Sequence, residues 1–330
     1  MKNLNKIGIL VLGTIAMASC SNESQTVTET VAPVPTQAQF ANVRQVAMLN
    51  QTQNFTMTAG AGLVTLTSTK GVQIKINGNN LTKNGNPVTG SIDVKFIEIF
   101  DKGTMLVTNK STMGLMINGN QSILKSGGEF YINATQGGVQ LVSTGIIQLV
   151  VPSNLSATTL DNTMLFWVGE IADPENIVWK RDMPTPIGGG QGGAVGFNQN
   201  GYTATFGNFG WCNIDRFYND PRPKTQILAA VPTGYNNTNS AVYLSVDGEG
   251  NNQLAKFDTY NATTLQFSEH YGQIPIGLVC HVIFATAEGS QWRYAVKAVT
   301  TTAGAVYTFT LAETMLGTEA QMVAAINAIQ

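Results

Sequence analysis

Charge is scarce in this chain. Only 12% of its 330 residues are Asp, Glu, Lys or Arg, about half the usual share for a soluble protein. No basic cluster stands out, so the electrostatic footprint of a nucleic-acid binder is missing. Histidine is limited to His270 and His281, and cysteine to Cys20, Cys212 and Cys280. Two imidazoles and three thiols so widely separated give no zinc-site spacing. Neither GxSxG nor HExxH occurs, so no local motif marks a hydrolase. Long apolar runs are lacking too. The stretch from Ile7 to Met17 covers roughly 11 residues, where a membrane-crossing helix needs about 20.

That short stretch is informative in another way. It follows Lys2 and Lys6 and ends in Ala18-Ser19-Cys20. A basic start, an apolar core and small residues make a secretory signal. A Cys directly after the small residues resembles the lipobox of bacterial lipoproteins. That resemblance implies cleavage before Cys20 and attachment of diacylglycerol to its thiol, with the new amino terminus acylated (palmitate is a typical chain). More than one acyl chain gives stable membrane attachment, at about 0.8 kcal/mol per buried CH₂. Removing residues 1–19 takes Lys2 and Lys6 from the 18 basic residues, leaving 16 against 20 acidic, a net charge of −4.

Residues 20–45 are rich in Thr, Val, Gln and Ala, with Pro33 and Pro35, which predicts a flexible or extended tether. From Phe55 the pattern turns to period two. Val64 and Leu66 alternate with Thr65 and Thr67; Ile74 and Ile76 with Lys75 and Asn77; Ile92, Val94 and Phe96 with Asp93 and Lys95. Alternation of this kind buries one face of a strand, and Gly/Asn punctuation marks the turns. The expected class is all-β: two β-sandwich-like domains with one short C-terminal helix. The expected division is an N-terminal β-sandwich at 46–155, a connecting segment with a Gly-rich loop at 156–195, and a β-rich domain at 196–330. Thr318-Glu319-Ala320-Gln321 reads as a capping box, followed by Met322, Val323, Ile326 and Ile329 at helical spacing. The run Gly188 to Gly193 lacks the GxxxxGK[ST] pattern and opens no helix, so it reads as a loop and not as a phosphate cradle.

Three segments are distinctive: Ile97 to Lys110, Ser126-Gly127-Gly128-Glu129-Phe130-Tyr131-Ile132-Asn133-Ala134, and Gly210-Trp211-Cys212-Asn213-Ile214-Asp215-Arg216-Phe217-Tyr218-Asn219-Asp220-Pro221-Arg222-Pro223. Together they resemble a family of outer-membrane lipoproteins of the Bacteroidota. The first domain is more loosely similar to ZU5-type β-sandwich modules. The resemblance implies place and fold, an outer-membrane lipid anchor on a β-sandwich body. It assigns no catalytic residue.

The best polar-aromatic group is Trp211, Asn213, Asp215, Arg216 and Tyr218. On an extended strand Trp211, Asn213 and Asp215 share one face, with Cys212 and Ile214 on the other. Flat rings beside fixed hydrogen-bonding groups suit sugar recognition, and they equally suit a structural corner. Glu98, Asp101, Lys102 and Glu129 are a second candidate cluster, as a polar edge or as surface ion pairs. Asp247, Glu249 and Asn251 alternate like the first oxygens of a calcium loop, but the sixth position is Asn252 and the twelfth Asp258, where Gly and Glu are required. No metal and no cofactor are expected. Cys212 and Cys280 read as separately buried thiols, with a disulfide left open. The expected function is a membrane-anchored, non-catalytic binding or envelope-assembly module with a glycan or protein partner. The alternatives are a cell-envelope hydrolase using His270 with a nearby acid, and a purely structural envelope protein. Glu23 is the only acid in 20–24, which leaves open which side of the outer membrane the body faces.

Overall fold

A computed structural model describes residues 33–155, 160–173, 176–182, 192–248 and 252–330. Cys20 and the first part of the tether, most of the Gly-rich loop, and Glu249 and Asn251 lie outside these residues. The protein is all-β: 53% strand against 13% helix, with three α-helices among the described residues. Among the described residues no helix is long and apolar enough to cross a membrane.

The first sandwich is built on one large sheet. Its strands run in the order Gln53–Thr58, Ser91–Ile99, Gln121–Gln136, Gly210–Phe217, Leu165–Asp173, Asn176–Arg181 and Met113–Leu115. A five-stranded sheet faces it, from Ala194–Asn198 through Gly201–Phe206, Ile147–Pro152 and Gln73–Asn77 to Leu63–Thr67. Between them lie Ile74, Phe96, Phe130, Ile132, Leu149, Tyr202 and Ile214, all buried. The second sandwich pairs a four-stranded sheet around Lys224–Ala230 and Gln266–Pro275 with a five-stranded sheet around Ser240–Val246, Val279–Glu288 and Gln291–Thr300. Val242, Phe257, Phe267, Val282 and Phe284 fill it.

A third core lies between the sandwiches. The outer face of the large sheet supplies Ile97, Ile99, Trp167 and Trp211, and the second sandwich supplies Tyr243, Ile283, Trp292 and Tyr294. Three helices are wedged into this middle layer: α1 (Gln37–Asn50), α2 (Lys102–Val107) and α3 (Glu319–Asn327). All three carry side-chain N-caps, from Thr36, Asp101 and Thr318. α3 follows its expected capping box and buries Met322 and Ile326.

Two expectations are corrected. The tether does not reach residue 45, because α1 begins at Gln37. Thr36 Oγ1 accepts from Gln39 N at 3.2 Å while Gln39 Oε1 accepts from Thr36 N at 2.8 Å, and Phe40, Val43 and Ala47 bury one face. Phe40 meets Trp292 edge-on, ring centroids 6.1 Å apart. The division at 155 and 196 also shifts. The strands at 165–173, 176–181, 201–206 and 210–217 all belong to the first sandwich, because Gly210–Phe217 pairs with Gln121–Gln136 and Gly201–Phe206 with Ile147–Pro152. The second sandwich starts at Lys224. Alternation identifies a strand but not its partner, so a boundary drawn on turn residues cannot see these long-range pairings.

Candidate functional site

The strand Gly210–Phe217 divides its side chains between two cores. Cys212 and Ile214 enter the first sandwich, while Trp211 enters the middle layer. Asn213 and Asp215 alternate with them and are fully buried. Opposite them the strand Gln121–Gln136 carries a bulge: Gly127 and Gly128 together face the single residue Ile214. This bulge puts Ser126 and Glu129, three positions apart, against Asp215 and Asn213. Gly128 has φ +137°, and a Cβ there would lie 2.6 Å from the Phe130 ring and 2.7 Å from Phe100. Only glycine fits.

Ser126 Oγ donates to Asn213 Oδ1 at 3.0 Å, and Asn213 Nδ2 donates to Asp215 Oδ2 at 2.5 Å. Trp167 Nε1 donates to the Asp215 carbonyl at 2.8 Å. Burial pushes the Asp215 carboxyl well above its ordinary range, against the Ser126 and Asn213 hydrogen bonds. Glu129 is pushed the same way by burial first and the Asp215 charge second, with Lys110 opposing. The Lys110 amine lies 5.0 Å from the centre of the Trp211 ring.

Arg216 and Tyr218 leave this layer. Arg216 pairs with Asp161 and donates to the Phe217 carbonyl at 3.0 Å. Tyr218 N donates to Ile123 O at 2.8 Å, leading into a corner where Arg222 Nε donates to both Asp220 oxygens at 3.0 Å. That pairing holds the Asp220 carboxyl down to about 2. The five residues therefore form a buried layer and a corner, and they do not share one open pocket.

The cluster of Glu98, Asp101, Lys102 and Glu129 does not form. Glu98 faces away and accepts from Ser68 Oγ at 2.7 Å. Asp101 caps α2 through Thr104 N at 2.8 Å, and Lys102 Nζ donates to Ile329 O at 2.7 Å. Cys212 and Cys280 are free and sit in different cores; burial pushes the Cys280 thiol up to about 12. Each histidine has a carboxylate partner. His270 Nδ1 lies 3.0 Å from Asp258, and His281 Nδ1 2.7 Å from Asp247.

Trp211 also borders a surface groove of about 350 Å³. Phe166 and Phe206, stacked at 4.9 Å and buried in the first core, form its floor, and Phe209 is its partly exposed ring. Its rim carries the Glu170–Lys180 ion pair, Asp182 and Asn208. Apolar rings with a few convergent polar groups are what a ligand site needs. A second hollow of about 420 Å³ on the outer strands is lined by Asn54, Thr56, Asp93, Lys95, Asn133 and Thr135, with Phe55 its only ring. The sequence pointed to Trp211 but missed Phe166, Phe206 and Phe209, which come from three different strands or turns. No protein-family model matches the chain, and no curated protein is significantly similar to it.

Proposed function

We propose that this protein is an outer-membrane lipoprotein, anchored through Cys20, whose folded body is a non-catalytic binding or envelope-assembly module. The signal-like amino terminus and the resemblance to Bacteroidota lipoproteins support the anchor. The observation that carries the binding role is the groove beside Trp211, where the Phe209 ring meets a charged and amide rim. The partly exposed Phe209 ring can stack on the apolar face of a saccharide or clasp a partner's side chain, and the rim orients the ligand. Glycan arrays and crosslinked purification from membranes test it, with Phe209→Ala as the control. The expected result is a glycan or envelope protein retained by the wild type and lost in the variant. Equal profiles for the two proteins remove the groove from the account.

One observation favours a hydrolase as the second reading: the carboxylate of Asp258 within reach of His270. Against it, the His270 side chain is 40% exposed and lies against Tyr271, with ring centroids 3.7 Å apart. The adjacent hollow of about 330 Å³ has Asp258 in its wall, and His270 stands outside it. Turnover of an envelope polymer that disappears in His270→Ala would move this reading to first place.

A further inference from the structure

An open sheet edge invites a further strand, and native proteins guard it with short strands, charge, proline or bulges. Among the described residues several sheet edges here are guarded by length, with only three residues at Met113–Leu115, Thr259–Asn261, Val306–Thr308 and Met315–Gly317. One side of the first sandwich differs. There the large sheet ends in Gln53–Thr58 and the facing sheet in Leu63–Thr67. A short turn joins these two strands, and Thr69 N donates to Gln53 Oε1 at 2.8 Å, so both edges lie on the same side. No charged residue occurs between Arg44 and Lys70, and neither strand holds proline. Neither ladder contains a bulge. The ladder also fixes which backbone groups face out. Gly78 N donates to Gly62 O and Ser68 N to Val72 O, both at 2.8 Å, and the register between them pairs Leu63 with Asn77 and Thr67 with Gln73. Even-numbered residues therefore bond inward, and Leu63, Thr65 and Thr67 turn their N–H and C=O groups to the open edge. The side chains of these three are exposed, Leu63 by 67%, while Val64 and Leu66 pack on the first core.

We propose that a second copy of this chain occupies this edge, with Leu63–Thr67 pairing antiparallel to itself about a two-fold axis at Thr65. That register sets Thr65 opposite Thr65 of the second copy, and Leu63 opposite Thr67. All of these residues face outward, so each pair exchanges two hydrogen bonds. Val64 meets Leu66 on the inner side, which carries the apolar face of one sheet into the next. Thr65 meets its own counterpart on the outer side, and Thr–Thr pairs are favourable neighbours across strands. The edge is thus complementary to itself, as an isologous interface requires, and the two-fold closes the assembly at two chains. An unrelated strand has to supply a matching register; a second copy supplies it by symmetry. With no charge between Arg44 and Lys70, neither edge on this side repels its own copy. A strand of five residues makes a small contact, so the dimer is reversible and not obligate.

The test uses the full-length protein in a large excess of detergent, with light scattering after size exclusion to give the protein mass. The wild type shows the mass of two chains at high concentration and of one on dilution. Thr65→Pro removes an N–H that faces the edge and none that serves the native ladder, so it keeps the fold and loses the dimer. Thr65→Lys and Thr65→Glu each set like charges opposite one another and weaken the dimer. An equimolar mixture of the two sets opposite charges there, and associates about tenfold more tightly than either variant alone. An axis at Thr65 is what produces that rescue. Urea midpoints establish that each variant is folded. A wild type with the mass of one chain at every concentration overturns the proposal. So does a dimer that persists in folded Thr65→Pro, or one weakened in both charged variants and not restored by mixing. Photo-crosslinking from residue 65 to a different envelope protein, and not to a second copy, also overturns it.

Discussion

Glu269 gives the molecule a measurable dependence on pH. Its residue is 1% exposed in the strand Gln266–Pro275. One carboxylate oxygen accepts from Gly272 N at 3.1 Å and Gln273 N at 3.3 Å, and the other has no partner. Burial, reinforced by the Asp258 charge, raises its pKa from 4.5 to about 7 against those hydrogen bonds. The folded state therefore keeps a proton that the unfolded chain releases between these values. A raised carboxyl contributes stability that is fully present below the unfolded pKa and is lost as pH rises through the folded one. A displacement from 4.5 to about 7 amounts to about 3 kcal/mol at about 1.4 kcal/mol per tenfold change in proton affinity. Glu269→Gln keeps the shape and removes the titration. Urea unfolding at pH 4 should give wild type and variant similar stability. At pH 8 the variant should lead by up to about 3 kcal/mol. A constant offset between the two proteins from pH 4 to pH 8 would refute the reasoning, because Glu269 would then hold the same charge folded and unfolded.

Three further outcomes follow from the same structure. Gly128→Ala should destabilise the first sandwich by about 3 kcal/mol or more, combining strain at φ +137° with the ring clashes, seen as a lowered urea midpoint. Thr36→Ala should cost about 1 kcal/mol by removing the α1 cap, and Phe40→Ala about 3–5 kcal/mol by opening a cavity against Trp292; equal costs for the two would mean α1 is not docked. Cys20→Ser should shift the protein from the membrane fraction to the soluble one, and the intact mass of the wild type should carry the acyl chains; an unmodified Cys20 would contradict the anchor.

Much of the fold was legible because period-two alternation is local. Ile74 and Ile76, or Ile92, Val94 and Phe96, reveal a buried strand face without knowledge of the partner strand. α3 was legible for the same reason, since Thr318 and Gln321 form their capping box within one turn. Thr36 and Gln39 carry the same signal, but two prolines and a spacer-like composition obscured it. The domain boundary was not legible, because the pairing of Gly210–Phe217 with Gln121–Gln136 spans about 80 residues. At the site, the shared face of Trp211, Asn213 and Asp215 could be read from the strand period. The Gly127–Gly128 bulge that brings Ser126 and Glu129 alongside them could not, because its effect depends on the opposing strand. The groove drew on Phe166, Phe206 and Phe209, whose gathering is a product of sheet order and leaves no trace in spacing.

The central functional claim is that a partner engages the groove beside Trp211. Photo-crosslinking from a residue placed at Asn208, in intact cells, addresses it most directly. The account predicts a discrete adduct, with a glycan or an envelope protein, that vanishes when Phe209 is replaced by Ala. A lane without adduct, or one unchanged by that replacement, would contradict it.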